Sequence, residues 1–172
     1  MNGGVAGGQF LGMTATDTKA ESRSLSAAVE KLRFAMVGTP DGDVWKSRPL
    51  TLAGLEGSTL HFLVAADTDW VQALGNGKAP CTTTFSDPSK NDYVALQGSA
   101  RVLHDRALIE SLWSAPAGAY FDGKDDPDIR VLAVDVDYGE YWDSPGGAIG
   151  RLLAVTKAAA GAESGSEGPV RV

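Results

Sequence analysis

Residues Phe34 to Val64, FAMVGTPDGDVWKSRPLTLAGLEGSTLHFLV, constrain the fold more than any other stretch of the chain. Three apolar runs are separated by two turn signals, Pro40-Asp41-Gly42-Asp43 and Glu56-Gly57-Ser58. Glycine supplies the positive φ that tight hairpins need, and Asp and Pro set the flanking geometry. The pattern predicts a three-strand antiparallel meander over 34–39, 44–54 and 59–64. In the third run Leu60, Phe62 and Val64 fall on one wholly apolar face. Ser47-Arg48-Pro49 interrupts the middle run. Proline has no N–H to give a ladder, so Pro49 predicts an edge, a bulge or a strand end. An arginine beside such an irregularity can aim its fork at a bound anion. The plainer reading of Arg48 is a surface arginine at a strand kink.

The flanking segments are read around this meander. Thr18-Lys19-Ala20-Glu21 matches a capping box, and Leu25, Ala28, Val29 and Leu32 form one stripe, which predicts a helix over 19–33. Thr68 or Asp67 caps a short helix carrying Trp70, Val71 and Leu74, which ends at Gly75-Asn76-Gly77. A strand over 79–85 and a loop over 87–92 lead to a long strand over 93–103, where Gly98 marks a bulge or barrel bend. Asp105 caps a helix running through Leu108, Ile109 and Leu112 to Trp113. Residues 114–128 read as a loop in which Asp126-Pro127 starts one helical turn. A sixth strand covers 131–136, extended by 138–142, and a last helix covers 149–160. Residues 1–16 and 161–172 read as flexible tails around a single domain over 17–160. Six locally connected strands and few helices predict a mainly β fold, an antiparallel barrel with flanking helices. Closure removes exposed edges.

Charge and composition narrow the function. A formal net charge of -7 argues against nucleic acid as the main partner, because phosphate binding needs a basic face. No apolar run approaches the length of a membrane span. Cys81 is the only cysteine, so no intrachain disulfide forms and a cytoplasmic setting is expected. Two histidines and one cysteine, far apart, show no metal-ligand spacing. His61 and His104 both fall in predicted strands, and no serine sits in a G-x-S-x-G elbow, so nucleophilic triads fail. The acidic run Asp122–Asp128 lacks the ligand spacing of an EF-hand. Walker-type and dinucleotide fingerprints are absent. Trp113, Tyr120, Phe121, Tyr141 and Trp142 remain as rings that could frame a planar ligand; the plainer reading is a core and a dimer surface.

The ordered set of motifs resembles the FMN-binding split-barrel family related to pyridoxamine 5'-phosphate oxidase, in its bacterial general stress protein branch. The matching residues are Phe34–Thr39, Ser47–Leu50, Leu60–Val64, Val94–Ala100 and Asp105-Arg106. Trp113, Tyr120–Pro127 and Glu140–Asp143 carry the resemblance most specifically. It implies a six-stranded split barrel and a homodimer with FMN, or FAD as the alternative, at its interface. By position, Arg48, Pro49 and Leu50 would lie along the flavin and its phosphate. Phe62, Leu63 and Val64 would line the ring or ribityl chain. Thr68, Asp69 and Trp70 would form the phosphate-side turn, with Trp113 and Trp142 as further contacts. Many relatives carry a lysine where this chain has Trp70. Asp67 and Asp69 flank that turn and would repel a phosphate, leaving Lys46 or Lys90 to compensate. The implied function is flavin binding, with or without oxidoreductase activity. The rival is a non-enzymatic stress protein that stores or senses flavin. A true pyridoxamine phosphate oxidase is disfavoured, because no second cluster of cations awaits a phosphorylated substrate.

Overall fold

The computed structural model describes residues 23–29, 31–143 and 166–171. The predicted meander is present as β2 (Phe34–Asp41), β3 (Val44–Glu56) and β4 (Thr59–Ala65). Gly42 and Gly57, at φ of 62° and 58°, make the two turns. The chain continues through α2 (Asp69–Leu74), β5 (Ala79–Asp87), β6 (Asp92–Leu103), α3 (Arg106–Leu112) and a 3₁₀ helix (Ala115–Ala119). It then enters β7 (Ile129–Asp143). Hydrogen-bonded neighbours run β7-β4-β3-β2-β5-β6, and β6 pairs back onto β7, so six antiparallel strands close a ring. Alternate residues of the strands fill it: Val37, Leu60, Phe62, Phe85, Leu96 and Val134 are all buried. α1 (Leu25–Val29) adds Leu25, Ala28 and Val29 to the same core. Cys81 lies inside, where burial pushes its thiol up to about 11.

Closure depends on an irregularity opposite Gly98. The β6–β7 register shifts between Gln97 and Gly98, passing from Tyr138 to Val136 and leaving Asp137 as the extra residue. A Cβ on Gly98 would lie 1.9 Å from the Asp135 carbonyl oxygen, so the approach admits only glycine. β7 stops pairing with β4 at Asp135.

A second core sits outside the ring. On the outer face Leu63 pairs with Val131, and Leu103 pairs with Val131 from the other side. α3 covers them with Leu108, Ile109 and Leu112. Asp105 caps α3 as expected, its carboxylate accepting from the Leu108 N–H at 3.1 Å.

Several expectations need correction. Among the described residues the first helix is short. Arg23–Ser24 is extended as β1, and the Ser24 hydroxyl accepts from the Ala27 N–H at 3.3 Å, so the cap is Ser24. Asp126-Pro127 starts no helix: the Asp126 carboxylate accepts from the N–H groups of Asp122 and Asp128 and closes a turn. The helical turn of that segment is the 3₁₀ helix in what reads as loop. His104 lies beyond the end of β6. Ser166–Arg171, inside the stretch read as a tail, is strand β8, antiparallel to Glu140–Asp143 of β7 and parallel to β1. The expected tail over 1–16 and the last helix over 149–160 lie outside the described residues.

Candidate functional site

The ring is split between β3 and β4. These strands pair only from Leu52↔Phe62 to Glu56↔Thr59, with a bulge between Leu52 and Gly54. Toward its N-terminal end β3 follows β2, while β4 follows β7 through Leu63, Val64 and Ala65. Pro49 therefore sits opposite Met36 of β2 on a stretch of β3 that β4 does not reach. An edge suits a residue without an N–H, and the irregularity of the strand falls at Ala53 instead of Pro49.

A cleft of about 310 Å³ opens at this split. One wall is Pro49, Leu50, Thr51, Leu52 and Ala53 of β3; another is Leu63, Val64 and Ala65 of β4. Thr68 and Trp70 close one end, and Ser114, Pro116, Ala117, Tyr120 and Phe121 close the far side. Among the described residues its polar side chains are hydroxyls and the Trp70 indole, and none of the lining residues carries a charge.

Arg48 stands at the rim. Its guanidinium lies 4.6 Å from the centre of the Trp70 ring, a cation–π contact. Both of its hydrogen bonds come from Nη1, to the Thr39 hydroxyl at 3.2 Å and the Lys46 carbonyl at 3.1 Å. Nη2 is 3.8 Å from Asp41. Trp70 thus serves as a platform that holds Arg48 in place. A guanidinium has five N–H donors, so this one keeps donors for an anion. The two lysines considered as replacements are committed elsewhere. Lys46 pairs with Asp41 at 2.6 Å, which holds that carboxyl below its usual range. Lys90 pairs with Asp87 in the β5–β6 turn, and with Ser89 draws that carboxyl down to about 2.

The other candidates divide. Pro49, Leu50, Leu63, Val64, Thr68 and Trp70 line the cleft, and Arg48 borders it. Asp69 is exposed in the first turn of α2. Phe62 is fully buried and points into the barrel, because inward and outward residues alternate along β4. Trp113 packs on Phe121, with ring centres 6.5 Å apart, and supports the wall from behind. Trp142 is not among the cleft's lining residues: it pairs with Tyr93 of β6, and β6, β5 and β2 lie between it and the cleft wall on β3. Sequence reasoning passed over the small residues Thr51, Ala53, Ala65, Ser114 and Ala117. Only their place at the split marks them.

Comparison with known proteins gives a consistent result. The family model described as pyridoxamine 5'-phosphate oxidase like matches residues 20–165. General stress protein 26 of Bacillus subtilis is 35% identical over 43 residues, 25% of this chain and 31% of that protein. A crystal structure of a general stress protein 26 from Jannaschia sp. CCS1 superposes with a TM-score of 0.70 at 26% identity, covering 84% of this chain and 94% of the other. A protein from Clostridium acetobutylicum related to general stress protein 26 superposes at 0.60 with 27% identity, covering 67% and 83%. A general stress protein from Xanthomonas citri, described as FMN/FAD binding, superposes at 0.59 with 26% identity over 67% and 83%.

Proposed function

Because this chain belongs to the pyridoxamine 5'-phosphate oxidase-like family, within its general stress protein branch, we propose that the cleft at the β3–β4 split binds a flavin, FMN in the first instance and FAD as the alternative. The observation that carries the reading is the cleft itself: a slot with aliphatic and aromatic walls and one guanidinium at its rim. Its volume falls within the range of small-molecule sites. Leu50, Leu52, Val64 and Phe121 would hold the ring system. Arg48, fixed on Trp70, would pair with the phosphate. When bound, the flavin would supply reversible electron and hydride transfer. The protein would orient the ring and exclude water.

The working unit is a homodimer in this reading. β2, β5, β6 and the second half of β7 turn one continuous face outward, with Phe34 71%, Met36 45% and Tyr93 39% exposed. Trp45 of β3 joins it at 55%. Patches of this kind are uncommon on monomers. A two-fold interface here buries the same residues on both copies and gives Trp142, on that face, a route to the partner's cleft.

The test is titration of the flavin-stripped protein with FMN, read by the visible spectrum. Saturable binding of one flavin per chain is the expected result; no spectral change at high micromolar FMN rejects the reading. A second reading is favoured by the lining, in which Tyr120 is the one titratable side chain among the described residues: a cytoplasmic protein that stores or senses flavin without turnover. Reduction of the bound flavin by NADH or NADPH in repeated cycles decides for the oxidoreductase, and a flavin that neither reduces decides for storage.

A further inference from the structure

Among the described residues three aromatic rings line the cleft, and two of them are held by contacts within the protein. Trp70 carries the Arg48 guanidinium on its face. Phe121 packs against Trp113. Tyr120 is 77% exposed, although it stands in the cleft wall. Its backbone is nevertheless fixed. The Tyr120 and Phe121 N–H groups donate to the Ala117 carbonyl at 3.0 and 3.3 Å. Beyond Phe121 the chain is clipped to α3. Arg106 donates to the carbonyls of Lys124 at 2.5 Å and Asp126 at 3.2 Å, and Lys124 pairs with Glu110 at 2.6 Å. The facing wall, Leu50, Leu52, Ala53 and Val64, has no ring.

An anchored backbone carrying an exposed aromatic beside a slot is preorganised to cover a flat ligand. Resting on the flavin reading above, we infer that Tyr120 closes the cleft over one face of the flavin ring by stacking. The contact is to the ring and not to the phosphate, so it acts alike on flavins with and without one. Stacking on an aromatic side chain is tolerant of substituents and requires the ring more than the hydroxyl.

The test compares FMN and riboflavin on the wild type, Tyr120→Ala and Tyr120→Phe, by calorimetric titration. Tyr120→Ala should weaken both ligands by about tenfold, equivalent to roughly 1.4 kcal/mol. Tyr120→Phe should stay within about twofold of the wild type for both. The long-wavelength flavin band should shift toward its solvent position in Tyr120→Ala only. Folding is not at stake, because the side chain is exposed; the unfolding midpoint without ligand should be unchanged. If Tyr120→Ala binds both flavins as the wild type does, the inference is overturned while the flavin reading stands. It is also overturned if only FMN is weakened, or if Tyr120→Ala dissociates a wild-type dimer in sedimentation, which would make the ring a partner contact. A wild type that binds neither flavin rejects the flavin reading itself.

Discussion

Arg48 illustrates how one side chain is held ready. The Trp70 ring beneath it and Thr39 beside it restrict the guanidinium, while Asp41 divides its charge between Arg48 and Lys46. A charge-assisted bond contributes roughly 1.5–3 kcal/mol. Arg48→Ala should therefore weaken FMN by about ten- to a hundredfold in a binding titration and riboflavin far less. Equal losses for both ligands would remove the phosphate role. His61 is a second residue with a legible consequence. It is buried on the outer face of β4, near Leu112 of α3 and flanked by Glu56, Arg101 and Asp135. Burial lowers its pKa below 6.5, opposed by Glu56 and Asp135 and assisted by Arg101. The unfolded chain then binds a proton more readily than the folded one. Stability from this group is full above about pH 6.5 and is lost as pH falls toward the lower folded value. Asp135, which burial alone would raise but which Lys78, Thr59 and Arg101 together hold below its usual range, titrates outside that window. Thermal unfolding from pH 8 to 5 should show the decline in the wild type and a flatter profile in His61→Gln.

The elements owe their boundaries to local chemistry wherever a cap or a glycine decides. Asp105 starts α3, and Gly75, at φ 59°, ends α2. Gly98 acts on a larger scale. It lets β6 meet β7 at Asp135, where β7 leaves β4, and so permits closure. Gly98→Ala forces a methyl group into a backbone carbonyl, and neither strand can yield without breaking the register. Such overpacking costs roughly 3 kcal/mol. A denaturation midpoint close to that of the wild type would show that the strands part more easily than their pairing implies. The 3₁₀ helix and its flanks behave differently: Trp113 and Phe121 dock on the outer core, and Arg106 clips the far end. This wall is built from α3 on the outer face of β4, β6 and β7.

At the scale of the whole molecule, the outer face of the barrel and the cleft meet at Pro49, which belongs to both. An interface on that face would therefore complete the site. Phe34→Lys places a charge on that face, opposite Thr51 of β3, without disturbing the core, since Phe34 points outward. Sedimentation should show the wild type as a dimer at micromolar concentration and Phe34→Lys as a monomer, with flavin affinity lost in parallel. A monomeric variant that still binds flavin as the wild type does would place the whole site within one chain.

The six antiparallel strands, the two meander turns, the caps at Asp105 and Gly75 and the irregularity at Gly98 were all readable from the sequence. Each follows from a period of two, a positive φ or a short capping side chain, which act over a few residues. The extra strand Ser166–Arg171 was not, because its composition resembles a linker and it is recruited by the open edge of β7 and by β1. Nor was the position of the split. Pro49 pointed to an edge, a bulge or a strand end, and it lies on an edge; the bulge itself is at Ala53, because β4 must leave β3 to follow β7. Burial of Phe62, support of the wall by Trp113 and the stacking of Arg48 on Trp70 join residues far apart in the chain. Such contacts depend on how strands diverge and helices dock, and those are decided by long-range packing.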